Sequence, residues 1–146
     1  MNKNFYNSTY TIICKEDLDI ELNKKFKFFK GTLEECLYNI KKHELNKDEF
    51  FNGHIIVNKP SVIEKNIKYF EKLVNKYSFD TREVFVSKVY HHGIDSKCSV
   101  SDDIILCSSW VLPIVCNFKR SNNNNLYKDF MRHRIQMKPI AQKDIL

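Results

Sequence analysis

No apolar run in the chain approaches the roughly 18 residues that a membrane-spanning helix needs, so no helical span is expected. Residues 1–15 hold no arginine and no long apolar core. Neither a secretory signal nor an Arg-rich organelle presequence is therefore visible. No Cys-x-x-Cys pair occurs, and the five cysteines (Cys14, Cys36, Cys98, Cys107 and Cys116) are odd in number and widely spaced. That spacing argues against a disulfide framework and a zinc ribbon, and favours reduced, mostly buried thiols. No His-x-Thr repeat and no His/Asp/Cys spacing suited to a metal is present, so no metal ion and no cofactor is expected. What is present suffices for one packed domain with extensions: 146 residues, 42% hydrophobic and 13% aromatic. A net charge of +6 with a pI near 9.0 favours a polyanionic partner.

Taken in order, the chain opens with a short strand candidate at residues 10–14, then a charged stretch at 15–30 interrupted by Phe26, Phe28 and Phe29. Residues 32–44 give the clearest helix. Thr32 with Glu35 forms a capping box, Leu33, Cys36, Leu37 and Ile40 share one face, and Lys41, Lys42 and His43 close the last turn. Residues 53–57 read as a strand. Residues 61–77 carry a second capping box, Ser61 with Glu64, and apolar residues at helical spacing: Ile63, Ile67, Phe70, Val74 and Tyr77. The densest β-type signal lies at 84–118. Strand-like runs at 84–90, 104–106 and 110–115 flank a turn-rich break at 92–97. Short strands at this spacing point to a small all-β barrel or sandwich. The tail from residue 117 holds an Asn run at 122–125 and seven basic against two acidic residues, so nearly all the net charge sits there.

Residues 51–118 resemble the bacterial-type small-subunit ribosomal protein seventeen family. The anchors are Gly53, Lys59, Ile67, Tyr77, His92, Cys98 and Asp102, in order and with small gaps, with Ile104, Ile105 and Leu106 following the Asp. The departures are Gly93 and Ile94 in place of the family's Asp-Glu, Ser101 in place of a Gly, and the loss of the Arg after the last strand. The resemblance implies a mainly β fold: a five-stranded oligonucleotide-binding-type barrel at 50–120, an N-terminal extension at 1–49 with its helix near 32–44, and a basic C-terminal arm at 121–146. It also implies a long strand across 61–77, where Glu64, Lys65, Ile67, Glu71, Lys72 and Val74 follow the family's order, and that reading is adopted over the helical period. The implied role is structural and non-enzymatic: binding small-subunit ribosomal RNA beside neighbouring ribosomal proteins, with no membrane and no small-molecule substrate. The departures and added ends suggest a divergent mitochondrial member; a cytoplasmic location is the alternative.

Ribosomal RNA presents phosphate and shaped grooves, so its contacts need scattered cations more than a catalytic constellation. The candidates are Lys59, Lys65, Lys72, Lys76, Lys88, His91, His92 and Lys97 on the expected strands and loops, with Lys119, Arg120, Arg132 and Arg134 in the tail, where aromatics are interleaved. Two other function classes compete. One is a small, viral-type protein that binds or inhibits another protein, which salt-insensitive binding would mark. The other is a metal-independent ribonuclease using His91 and His92 as acid and base. Adjacent strand residues point to opposite faces, which weighs against that pair.

Overall fold

The computed structural model describes residues 10–22, 24–65, 67–76, 82–90, 99–120 and 126–140. Its elements run β1 (Tyr10–Cys14), β2 (Phe26–Lys30), α1 (Leu33–Lys47), β3 (Gly53–Val57), α2 (Pro60–Lys65), α3 (Ile67–Lys76), β4 (Glu83–Tyr90), β5 (Ser99–Cys107), α4 (Leu112–Arg120), α5 (Leu126–Arg132) and β6 (Gln136–Pro139). A sheet organises the fold, as expected, with helices in comparable share. The six described strands lie in the order β2-β1-β3-β5-β4-β6. β1 is parallel to β2 and β3, β4 is parallel to β6, and β5 runs antiparallel to β3 and β4. Five strands thus share one direction and only β5 opposes them.

The sheet is not closed. Among the described residues β2 and β6 are its edges, and both are blunted against further pairing. β2 exposes Lys27 and Lys30, and Lys24 and Lys25 precede it. β6 is four residues long and ends at Pro139.

Helices cover both faces, and the strand sequences show why. β1 (YTIIC) and β3 (GHIIV) are buried at every position, which only a doubly covered sheet allows. Alternate residues then feed two cores. Ile13, Ile56, Val84, Val86 and Ile105 pack with Cys36 and Ile40 of α1, Val115 of α4 and Phe130 of α5. Ile12, Ile55, Phe85, Ile104 and Leu106 pack with Ile63 of α2 and Val74 of α3. Residues 10–47, which lie outside the span of the resemblance, supply two strands and a helix to this same sheet.

Two expectations are corrected. The strand expected across 61–77 is the helix pair α2 and α3, so the periodicity outweighs the resemblance there. Ile67 and Val74 lie on one face of α3 and pack with Ile63 of α2 in the same core, where Ile63 and Val74 are buried. A strand would have turned Ile63 and Val74 to opposite sides. The strand expected at 110–115 is a turn followed by α4. Val111, Leu112, Val115 and Cys116 are buried at helical spacing, and Pro113 sits in the first turn, where a missing N–H costs nothing. α1 forms where its capping box places it. Thr32 Oγ1 accepts from the Glu35 N–H at 3.2 Å and donates to Glu35 Oε1 at 3.1 Å. Cys14, Cys36, Cys107 and Cys116 are free and buried; Cys98 lies outside the described residues.

In denaturant unfolding, Ile105→Ala, at a fully buried position on the central β5, should cost about 2–5 kcal/mol, against about 1 kcal/mol for removing the α1 cap with Thr32→Ala.

Candidate nucleic-acid interface and carboxyl-edge cleft

The sheet direction sorts the expected cations by location. Lys59 follows β3 at the carboxyl edge of the parallel strands and is exposed. α2 and α3 then run on from it. Lys65 lies in α2, Lys72 and Lys76 in α3, and Lys65, Lys68 and Lys72 are exposed. Positions 68 and 72 are four residues apart in α3 and fall on one face of that helix, while Lys65 ends α2. The helices thus add Lys68, absent from the expected cations, one turn from Lys72. Its signal was the same helical spacing that placed Ile63, Ile67 and Val74 on the core side.

Lys88 lies on the outer half of β4, past an irregularity between Val86 and Lys88, with its ammonium 5.0 Å from the centroid of the exposed Tyr90 ring. Lys119 and Arg120 fall in the last turn of α4. Arg132 ends α5, and Arg134 follows it in a left-handed conformation (φ 55°). Both are exposed. α5 packs on the face opposite α2 and α3, so Arg132 and Arg134 do not join the lysine ridge. His91, His92 and Lys97 lie outside the described residues.

A cleft of about 380 Å³ opens at the carboxyl edge between β1 and β3. The chain leaves β1 toward β2 on one side and leaves β3 toward β4 on the other. That parting of connections is the position at which open α/β sheets form ligand crevices. Ile13, Cys14 and Lys15 come from the end of β1, Ile56, Val57 and Asn58 from the end of β3, Thr32, Leu33 and Glu34 from the start of α1, and Cys116 from α4. At the α1 N-terminus Thr32 Oγ1 caps the Glu35 N–H, and the carboxylates of Glu34 and Glu35 in the first turn offset the helix dipole. Behind the start of α1, burial and then the Glu35 carboxylate push the Cys36 thiol up to about 11, and burial likewise raises Cys107, which pairs with His54 across the sheet. Among the described residues no group of three or more His, Cys, Asp or Glu side chains could hold a metal ion.

The opposite, amino edge holds a buried histidine. His54 on β3 is 1% exposed. Its Nδ1 lies 2.7 Å from Thr11 Oγ1 and its Nε2 2.8 Å from Ser109 Oγ. Ser109 Oγ donates to the Phe51 carbonyl at 3.2 Å. With that proton committed, Ser109 accepts from Nε2–H, and Nδ1 accepts from the Thr11 hydroxyl. The imidazole is fully satisfied as the neutral ring, and burial pushes its pKa down to about 4 from 6.5. The arrangement ties β1, β3 and the start of α4 together rather than poising a base. Because the folded pKa lies below the unfolded one, the unfolded chain takes the proton first as pH falls. Stability should therefore be undiminished above pH 6.5 and decline by about 3 kcal/mol between pH 6.5 and pH 4. Urea unfolding across that window should show the decline in the native chain, and His54→Gln, whatever its own baseline, should lack this part of it.

The candidate features are thus exposed lysines on α2 and α3 and, lined from the face of the sheet that α1 and α4 cover, a cleft at the switch of strand order. No known protein family, curated protein or solved structure matches the chain.

Proposed function

We propose that this protein is a binding protein for RNA, acting through backbone phosphates and without catalysis of its own. The observation that carries this reading is the ridge of exposed lysines along α2 and α3: Lys65 at the end of α2, then Lys68 and Lys72 one turn apart on one face of α3, preceded by Lys59. Cations at steps of three and four residues along a helix track a line of phosphates. The exposed Tyr90 ring beneath Lys88 adds the aromatic-plus-cation pairing that supports base stacking.

The ribosomal role belongs to this proposal as its specific form: a constituent of the small subunit, contacting its RNA and neighbouring proteins, in a mitochondrial or cytoplasmic ribosome. It draws support from the basic charge and from the anchors named above. Closure into an oligonucleotide-binding-type barrel is not part of it, since the ridge resides on helices outside an open sheet.

Phosphate-driven binding releases counterions, so affinity for a single-stranded RNA should fall steeply with salt. The triple variant Lys65→Gln, Lys68→Gln, Lys72→Gln should weaken binding about tenfold or more in low salt and flatten the log–log salt slope by about 2. An unchanged slope in fluorescence anisotropy would remove the ridge from the interface. For the ribosomal form, lysate sedimentation should place the protein with the small subunit in moderately high salt; migration as free protein only would defeat that form.

A further inference from the structure

We infer that the amino edge of the sheet carries a base-stacking platform for single-stranded RNA, built from Trp110 and Phe50 with Arg82 and Arg134 beside them to hold phosphate. This rests on the RNA-binding reading above and adds contacts to the bases. Trp110 leads into α4 and Arg134 follows α5, helices on the face opposite α2 and α3, so the platform is a second contact, separate from the lysine ridge.

Trp110 is the only tryptophan in the chain, and it is 49% exposed in the turn before α4. Val111 and Leu112 beside it are buried, so the core takes them and leaves the indole in water. The Arg82 guanidinium lies 5.1 Å from the indole centroid. A guanidinium held there stacks by its plane and keeps its N–H groups for an anion. Phe50 is 73% exposed at the same edge. Ser109 Oγ donates to the Phe51 carbonyl at 3.2 Å, which ties together the two segments that carry Trp110 and Phe50. Neither ring packs on another aromatic ring among the described residues. Large rings left in water at an otherwise closed edge mark a contact surface.

Charge selects what that surface takes. Arg134 is exposed two residues before Gln136, whose N–H donates to the Arg82 carbonyl at 2.8 Å. The acids around the two arginines have cations of their own: Glu83 pairs with Lys138 at 2.8 Å and Asp129 with Arg132 at 3.8 Å. Asp48 and Glu49 precede Phe50, and Glu49 meets His43 at 3.4 Å. Positive charge thus stands on the Trp110 side and negative charge on the Phe50 side. An apolar protein patch would leave two guanidinium groups unanswered; a phosphate backbone answers them. A strand along this edge lies with phosphates against Arg82 and Arg134 and bases on the rings. Stacking reads the face of a base and not its edge, so the platform accepts any base, and the wider purines cover the indole best.

The test uses the full chain, a short oligoadenylate and an abasic ribose-phosphate strand of the same length. Because Trp110 is the sole tryptophan, intrinsic emission reports this site alone. Oligoadenylate should quench it and the abasic strand should not. Fluorescence anisotropy of labelled oligoadenylate in low salt measures binding itself. Trp110→Ala should weaken that binding about tenfold, and Trp110→Phe, which keeps an aromatic face, should recover most of the loss. Arg82→Gln should lower the log–log salt slope by about 1. Circular dichroism checks that each variant folds, and the wild-type quenching depends on none of them. RNA binding with unchanged emission, or equal quenching by the abasic strand, would overturn the platform and leave the ridge standing. Self-association that persists in high salt and is lost in Trp110→Ala would assign the rings to a second copy of the chain and overturn it too. No RNA binding in anisotropy would defeat the RNA reading itself, and the platform with it.

Discussion

Burial of β1 and β3 on both faces is the constraint from which the other features follow. Every residue of these two parallel strands is buried, including Thr11 and His54. α1 crosses from β2 to β3 on one face, and α2 with α3 leads from β3 to β4 on the other, so both faces are covered. Polar groups inside such a layer must be bonded internally, because an unsatisfied one costs several times what a made hydrogen bond contributes. Thr11, His54 and Ser109 meet that requirement with one another and with the Phe51 carbonyl. His54 is thus a neutral clasp between β1, β3 and the turn that leads into α4.

The same arrangement fixes where an opening forms. The amino edge near His54 is closed by the chain entering α4 and by Phe51, whose ring stacks against His43 at a centroid distance of 5.4 Å. At the carboxyl edge the chain leaves β1 toward β2 and β3 toward β4, on opposite sides. The cleft is therefore a consequence of strand order. Its lining comes from four segments far apart in sequence, and only the pairing of Tyr10 with Gly53 through Cys14 with Val57 brings two of them side by side.

This explains what could be read beforehand and what could not. Strands β1, β3 and the inner parts of β4 and β5 follow from runs of β-branched residues, and α1 follows from Thr32 and Glu35. These are local signals with local causes. The helices at 60–76 were equally legible, in Ser61 with Glu64 and in the spacing of Ile63, Ile67 and Val74; a family resemblance displaced them. The decisive residue is Val74, buried at 2% exposure, which a strand sharing one face with Ile63 would have turned away. The run at 110–115 is the harder case, since a short apolar stretch reads as strand or buried helix alike, and only Pro113 leans toward a helix start. The cleft left no local trace, because nothing in residues 13–15 says that residues 56–58 lie beside them.

Helix formation at 60–76 also changes what the charge means. Counted along the sequence, positive charge concentrates in the last thirty residues. Counted on the fold, Arg132 and Arg134 follow a helix on one face while Lys65, Lys68 and Lys72 line the other. Lys68 and Lys72 sit one turn apart on α3, a local grouping that a tally of charge along the chain does not show. Glu34 and Glu35 complete the reasoning from the other sign. Glu35, whose carboxylate accepts from the capping hydroxyl of Thr32, stands beside the cleft that Glu34 lines, so the requirement of helix capping places negative charge at the opening.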